Sequence, residues 1–330
     1  MSHPDPVAPR RIAVVVNPTK FAKDGELDDM RSRVGKVCAE HGWAEPTFFE
    51  TTEDDPGVGQ AQEAVDAGFD IVCPLGGDGT VRAVASSLIG TDTPLGLLPG
   101  GTGNLLARNL ELPIDTIENA LQVVLTGQDR RIDVGLVRLS PQSTSADALR
   151  GDGEAEPGDP RREDEEVFLV MAGIGMDAEV MAGTNEKIKG LLGWPAYVLS
   201  GLRQLTGKGF GVTVTAGGTR QHQHARTVIV GNCGTLQGDL ELIPDAELDD
   251  GVLDGVILAP RGVMGWLSVA VNLASRHQRG HPRITRLSGP ALAVLADHER
   301  PQAQIDGDPM GRQHGLVARV LERALVVRVR

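Results

Sequence analysis

The chain has 330 residues, of which 40% are hydrophobic and 23% charged, with a formal net charge of −13. These values fit a soluble globular chain of two domains, and so acidic a balance lacks the basic footprint that nucleic acid requires as main partner. No run of roughly 18 apolar residues occurs, so no membrane-spanning helix is expected.

The opening residues MSHPDPVAPRR are polar and carry no apolar signal core. RIAVVVNP (11–18) is a continuous apolar run ended by Asn-Pro, the form of a strand buried on both faces. A helix is predicted over 26–41, a strand over 44–50, a helix over 57–67 and a strand over 69–75. Then come a helix over 81–89, a strand over 94–99, a turn and helix over 100–110, a helix over 117–125 and a strand over 130–139. Strands alternating with helices predict a parallel sheet covered on both faces.

The pattern changes at 141–166, which is polar and acidic. Its part 152–166 holds eight acids and two arginines, a net of −6. We read 141–166 as a disordered insertion between two strands. From 167 onward short strands dominate (VFLVMA, GVTVTA, ARTVIVGN, GVLDGVIL, ITRLSGPALAVLA), interrupted by helices near 186–206 and 262–278. They predict a mostly antiparallel β domain. Cys38, Cys73 and Cys233 are widely separated and have no metal-ligand spacing, so they read as small buried side chains in a reducing compartment.

Two glycine turns carry chemical information. GGDGT (76–80) lies between a strand and a helix, at the carboxyl edge of the sheet where ligands bind. Its glycines let backbone N–H groups approach a ligand, and the helix start adds partial positive charge, which together suit phosphate. Asp78 would repel phosphate unless a divalent cation lies beside it or its carboxylate caps the helix that follows the turn. PGGTGN (99–104) is a second turn of the same kind on the same edge. The P-loop pattern is absent, because no Lys is followed by Ser or Thr.

These motifs, in their order, resemble the diacylglycerol kinase catalytic domain family, which includes bacterial soluble diacylglycerol kinases, YegS-like lipid kinases and sphingosine kinases. GGDGT and PGGTGNLLARNL carry the likeness, with NP (17–18), TT (51–52), RRIDVG (130–135), GIGMDAEV (173–180), IPDAELDDGVLD (243–254) and QIDGDPMG (304–311). GIGMDAEV also fits a dinucleotide pattern, which the resemblance displaces. The resemblance implies an α/β nucleotide domain of NAD kinase/phosphofructokinase type over 11–135 and about 312–330. A β-sandwich over 136–311, carrying the 141–166 insertion, would complete the chain. It implies ATP in the cleft between them, with Asn17, Thr51, Gly76, Gly77, Asp78, Gly79, Thr80, Gly101, Thr102 and Asn104 around it. Mg²⁺ would assist, with Asp249, Asp250 and Asp254 as a metal loop and Asp133 in the acidic network. Asp308 stands where the family has the Glu of DGE and would accept the proton of a lipid hydroxyl, beside Asp306 and Asp78.

The resemblance further implies a lipid substrate, diacylglycerol foremost, met at the inner face of the membrane by a cytoplasmic protein, with a homodimer as the assembly that the family suggests. A soluble kinase of NAD-kinase type and a non-catalytic binding protein are the alternatives. Asn104-Leu105, where diacylglycerol kinases continue Asn-Asp, leaves the acceptor open. Lys20 and Lys23 are either phosphate contacts or surface lysines. The stretch 185–210 has a net charge of +3 and many apolar residues, and suits either a membrane surface or packing on the β domain.

Overall fold

The computed structural model describes residues 8–21, 25–140, 159–175, 209–236, 240–244, 246–274 and 280–330. It divides into two compact units, 1–132 with 323–330, and 133–322.

The first unit runs β1 (Ile12–Val16), a 3-10 turn (Pro18–Lys20), α1 (Glu26–Glu40), β2 (Thr47–Glu50), α2 (Val58–Asp66), β3 (Ile71–Gly76) and α3 (Asp78–Leu88). β4 (Leu98–Pro99), α4 (Leu105–Asn109) and α5 (Ile117–Thr126) follow. The strands pair in parallel in the order β2-β1-β3-β4. Alternate residues of β1 and β3 explain the two covered faces. Ile12, Val14, Val16, Ile71, Cys73 and Leu75 join Val34 and Cys38 of α1 and Leu121, Val124 and Leu125 of α5 in one core cluster. Val15 points the other way, toward Gly57 and Val84, where α2 and α3 pack. The expected strand over 94–99 shrinks to Leu98–Pro99, with Leu95 bridging separately to Val72 and Val327. The helix expected from 81 starts at Asp78, inside the glycine motif.

The second unit begins within β5 (Gln128–Ser140) and continues through β6 (Glu166–Phe168), β7 (Met171–Ile174), β8 (Phe210–Ala216), β9 (Thr219–Ala225) and β10 (Thr227–Gly231). A small hairpin, β11 (Thr235–Leu236) and β12 (Leu240–Glu241), precedes β13 (Leu253–Leu258) and α6 (Gly262–Ala274). The remainder is β14 (Ile284–Gly289), β15 (Ala291–Ala296), β16 (Gln302–Ile305), β17 (Asp308–Arg312) and β18 (Gly315–Val329). Two six-stranded sheets form, β14-β13-β10-β7-β16-β17 and β6-β5-β18-β15-β8-β9. Val228, Val230 and Ile257 of one share a core with Val212, Val214 and Val294 of the other, the face-to-face packing of a β-sandwich. ITRLSGPALAVLA is two strands because Pro290, with no N–H to donate, breaks the ladder. The chain end is one long strand. It passes from the sandwich to the parallel sheet at Arg323, whose φ is +47°, so most of β18 belongs to the second unit. Lys23, the helix predicted near 186–206 and residues 185–208 of the basic apolar stretch lie outside the described residues.

Residues 159–166 differ from the expected loose insertion. Glu165 is buried and meets Arg319 of β18 through two bonds of 2.8 Å. Arg319 also donates to the carbonyls of Asp159 (2.9 Å) and Pro160 (3.0 Å), fixing this end of the acidic segment. Residues 141–158 lie outside the described residues. Burial opposes ionisation of Glu165, but the Arg319 bonds and the Arg162 N–H prevail and hold its pKa below the usual 4.5. A depressed carboxylate pKa stabilises the fold above the unfolded value and ceases to do so as pH falls through the folded one. Arg319→Ala leaves a buried carboxylate unpaired and should cost about 3–5 kcal/mol by chemical denaturation at neutral pH. That loss should shrink as the titration is repeated at pH values falling through the lowered folded pKa of Glu165, below which the residue is neutral in both states.

Candidate functional site

The C-terminal ends of the parallel strands are tied side by side. The Asn17 N–H donates to Leu75 O (3.0 Å) and the Thr51 N–H to Val16 O (2.9 Å), so both residues stand on the edge that carries Gly76. The Asn17 side chain is engaged locally, accepting from the Thr19 N–H (3.1 Å) and hydroxyl (2.7 Å). Thr51 is buried. Just beyond it, Asp55 Oδ1 caps α2 by accepting from Gly57 (3.0 Å) and Val58 (2.9 Å).

The two glycine turns lie directly on one another. A Cβ on Gly100 would sit 2.7 Å from the Gly76 nitrogen, and one on Gly101 would sit 2.8 Å from the Gly77 Cα. Real side chains essentially never approach so closely, so glycine is required for this stacking. Gly76 has a different reason. Its Cβ would lie 2.5 Å from the Thr80 hydroxyl, which folds back beneath it. Gly77 contrasts with all of these: a Cβ there would meet nothing within 4 Å. The turn is therefore packed on one side and open on the other, at the start of α3, where the helix dipole is positive. Gly79 lies in the first turn of that helix.

Asp78 of the first turn serves as a helix cap. Its Oδ1 accepts the Leu105 N–H at 2.7 Å, so it caps α4, 27 residues away, rather than the helix that it begins. Asn104 adopts the left-handed conformation (φ +48°) and closes the second turn through Gly101, donating to its carbonyl (2.9 Å) and accepting its N–H (3.2 Å). Thr102 is exposed at the tip. Arg108, which the sequence motifs do not single out, donates to Gly103 O at 2.8 Å and braces the turn from α4.

The acidic candidates belong to the second unit. Asp306 and Gly307, with φ of +47° and +91°, are the two central residues of a tight hairpin between β16 and β17, the arrangement that Asp-Gly favours. The Asp306 carboxylate accepts three backbone N–H groups at 2.9 Å, from Leu169, Val170 and Met171. A left-handed non-glycine residue costs about 1–3 kcal/mol, whereas each bond to a charged acceptor contributes about 1.5–3, so the bonds win. Asp306 is thus a buried latch for the start of β7. Its charge also adds to burial in pushing the buried Cys233 thiol up. Asp308 follows the turn as the first residue of β17 and is half-buried.

Asp133 is fully buried and accepts the Gly251 N–H at 2.7 Å, while its own N–H donates to Leu248 O (2.7 Å). It anchors the acidic loop. Asn232, which no sequence motif marks, joins the two buried aspartates by donating to Asp133 O (3.0 Å) and Leu169 O (3.3 Å). The metal-loop expectation is not met by the geometry. Asp250 accepts the Val252 N–H (2.9 Å) in a local turn, and Asp254 points to Ser288 Oγ (2.5 Å) across the β13–β14 pair. Asp249 does not join them in a cage: among the described residues no group of three His, Cys, Asp or Glu is placed to hold a metal. Nor, among those residues, is any helix long and apolar enough to cross a membrane.

A parallel α/β unit with stacked glycine turns, followed by a β-sandwich, defines a two-domain kinase fold. Residues 11–137 match the diacylglycerol kinase catalytic domain and residues 169–329 the YegS C-terminal NAD kinase beta sandwich-like domain. The chain belongs to the diacylglycerol kinase catalytic domain family. It is 26% identical over 273 residues to the "Probable lipid kinase YegS-like" of Enterobacter sp. (strain 638), covering 81% of each chain. It is 25% identical over 311 residues to the diacylglycerol kinase of Staphylococcus aureus (strain JH9), covering 92% of this chain and 87% of that one. A crystal structure of a diacylglycerol kinase from Bacillus anthracis str. Sterne superposes with a TM-score of 0.68 at 20% identity, over 97% of each chain.

The turn geometry makes a paired prediction. Gly100→Ala should lower stability by about 1–3 kcal/mol in urea titration, since the Cβ overpacks backbone. Gly77→Ala should stay within about 0.5 kcal/mol of the parent, because its Cβ enters open space at an ordinary φ of −85°.

Proposed function

We propose that this chain transfers the γ-phosphoryl group of ATP to the hydroxyl of a lipid, with diacylglycerol as acceptor and phosphatidic acid as product. The observation that carries the reading is the stacked pair of glycine turns, packed on one side and open at Gly77, in a chain of this kinase family. Phosphoryl transfer asks a protein mainly to position its reactants and to offer donors to the phosphate oxygens. The open face of Gly77 and the positive end of α3 suit that demand, with Asn17, Thr51, Thr102 and Asn104 at the same edge or on the adjoining turn.

The lipid hydroxyl oxygen attacks the γ-phosphorus, the bond to the ADP oxygen breaks, and the hydroxyl proton passes to a base. We assign that base to Asp308. It is half-buried beside a turn held rigid by Asp306, and β17 fixes its backbone. Asp306 acts by positioning, since its carboxylate is filled by three N–H donors. Asp249, Asp250 and Asp254 do not fit a metal cage, so no step is assigned to an ion there. The Mg²⁺ that accompanies ATP neutralises charge on the phosphates. Lipid as acceptor places the enzyme at the inner surface of the membrane.

Labelled ATP, a panel of lipid alcohols in mixed micelles and NAD as a soluble control test the assignment. Diacylglycerol should be labelled. Asp308→Asn should reduce the rate by about 10²–10⁴-fold with unchanged stability. Asp306→Asn keeps a residue that tolerates the turn but should lose about 2–3 kcal/mol of stability. Labelling of NAD instead, or full activity in Asp308→Asn, contradicts the acceptor or the base respectively.

A further inference from the structure

Gln304 opens the QIDGDPMG motif, and its side chain reaches forward to the hairpin that follows. It is buried (2% exposed), and its Oε1 accepts the Gly307 N–H at 2.8 Å. That bond fixes which end of the amide is oxygen, because an N–H must meet an acceptor. The other end, Nε2, is buried beside Gly173, where an added Cβ would lie 3.4 Å from it, and it meets no acceptor among the described residues. Across the sheet, the same row continues through Gly173 to Ile229 and Val256, both buried and aliphatic. An apolar side chain of similar length would pack here without stranding a buried donor, so stability alone does not account for the amide.

The amide acts where glycine leaves the chain free to turn. Gly307 immediately precedes Asp308, has a φ of +91°, and would place a Cβ within 4 Å of nothing. Glycine spans more backbone conformations than any other residue, so a swing at Gly307 would carry Asp308 with it. The Asp306 carboxylate does not prevent this, since it grips the N–H groups of Leu169, Val170 and Met171. Nor does β17 beyond Asp308 pair evenly, because its register with β16 shifts between Gln302 and Gln304. The Gln304 bond acts on the Gly307 peptide itself. We propose that Gln304 is a positioning residue: its amide oxygen clamps the Gly307 peptide and so fixes the point at which Asp308 enters β17. The proposal rests on the lipid-kinase reading for its purpose, but the clamp is read without turnover.

The experiment uses Gln304→Met in the full chain, which keeps the length of the side chain and removes both polar ends. By NMR amide exchange, the Gly307 N–H should exchange at least about tenfold faster than in the parent, with the melting temperature unchanged or raised. With labelled ATP and diacylglycerol, kcat should fall about ten- to a hundredfold while KM for both substrates stays within about twofold, the split expected when a reacting group is displaced. Added to Asp308→Asn, the same substitution should slow transfer by less than about twofold more, because it acts through Asp308. Unchanged exchange at Gly307, an unchanged kcat, or a full further loss in the double variant overturns the proposal. A lower melting temperature with kcat and KM both altered would show that Gln304 only supports the fold, and overturns it too. Faster exchange at Gly307 in a chain whose parent labels no lipid would leave the clamp standing and contradict the kinase reading.

Discussion

The first unit is organised by a contact that only glycine permits. Turn 99–104 rests on turn 76–80 with backbone against backbone, and a methyl group on Gly100 or Gly101 would intrude on Gly76 or Gly77. The contact must be fastened, because turns without side chains have little apolar surface to bury. Asp78 supplies the fastening by capping α4. The carboxylate is thereby drawn onto the second turn and its charge is engaged by an N–H group. One residue thus joins the two turns.

The second unit repeats the device. Asp306 in a tight hairpin gathers three N–H groups from the start of β7, and Asp133 gathers the loop at Gly251. Asn232 links the two through carbonyl oxygens. Buried carboxylates of this kind are costly unless fully satisfied, and satisfied ones rigidify their surroundings. An acid on the next strand, Asp308, then inherits a fixed position without being part of the latch. Neighbouring aspartates of one motif therefore sit differently, since Asp306 holds the backbone at the start of β7 and Asp308 begins the next strand.

Much of this was legible in the sequence. Continuous apolar runs such as IAVVV identified strands buried on both faces, and the change to short strands after residue 166 marked the sandwich. The stacking of the glycine turns was foreshadowed by their common place on one sheet edge. What stayed hidden was whatever depends on partners distant in the chain. Nothing in GGDGT names Leu105 as the partner of Asp78, and the Asp-rich loop at 249–254 suggests a cage that the β13 register opens by turning Asp254 to Ser288. The acidic run to 166 looked uniformly solvated because Arg319, which buries Glu165, lies 154 residues further on.

The most direct test is the structure of the chain with a non-hydrolysable ATP analogue. The stacked turns predict phosphate oxygens within hydrogen-bond distance of the backbone N–H groups at Gly77 and the first turn of α3, with the Asp78–Leu105 bond intact. A nucleotide bound away from the 76–80 turn, or one that separates the two glycine turns, would contradict the central claim.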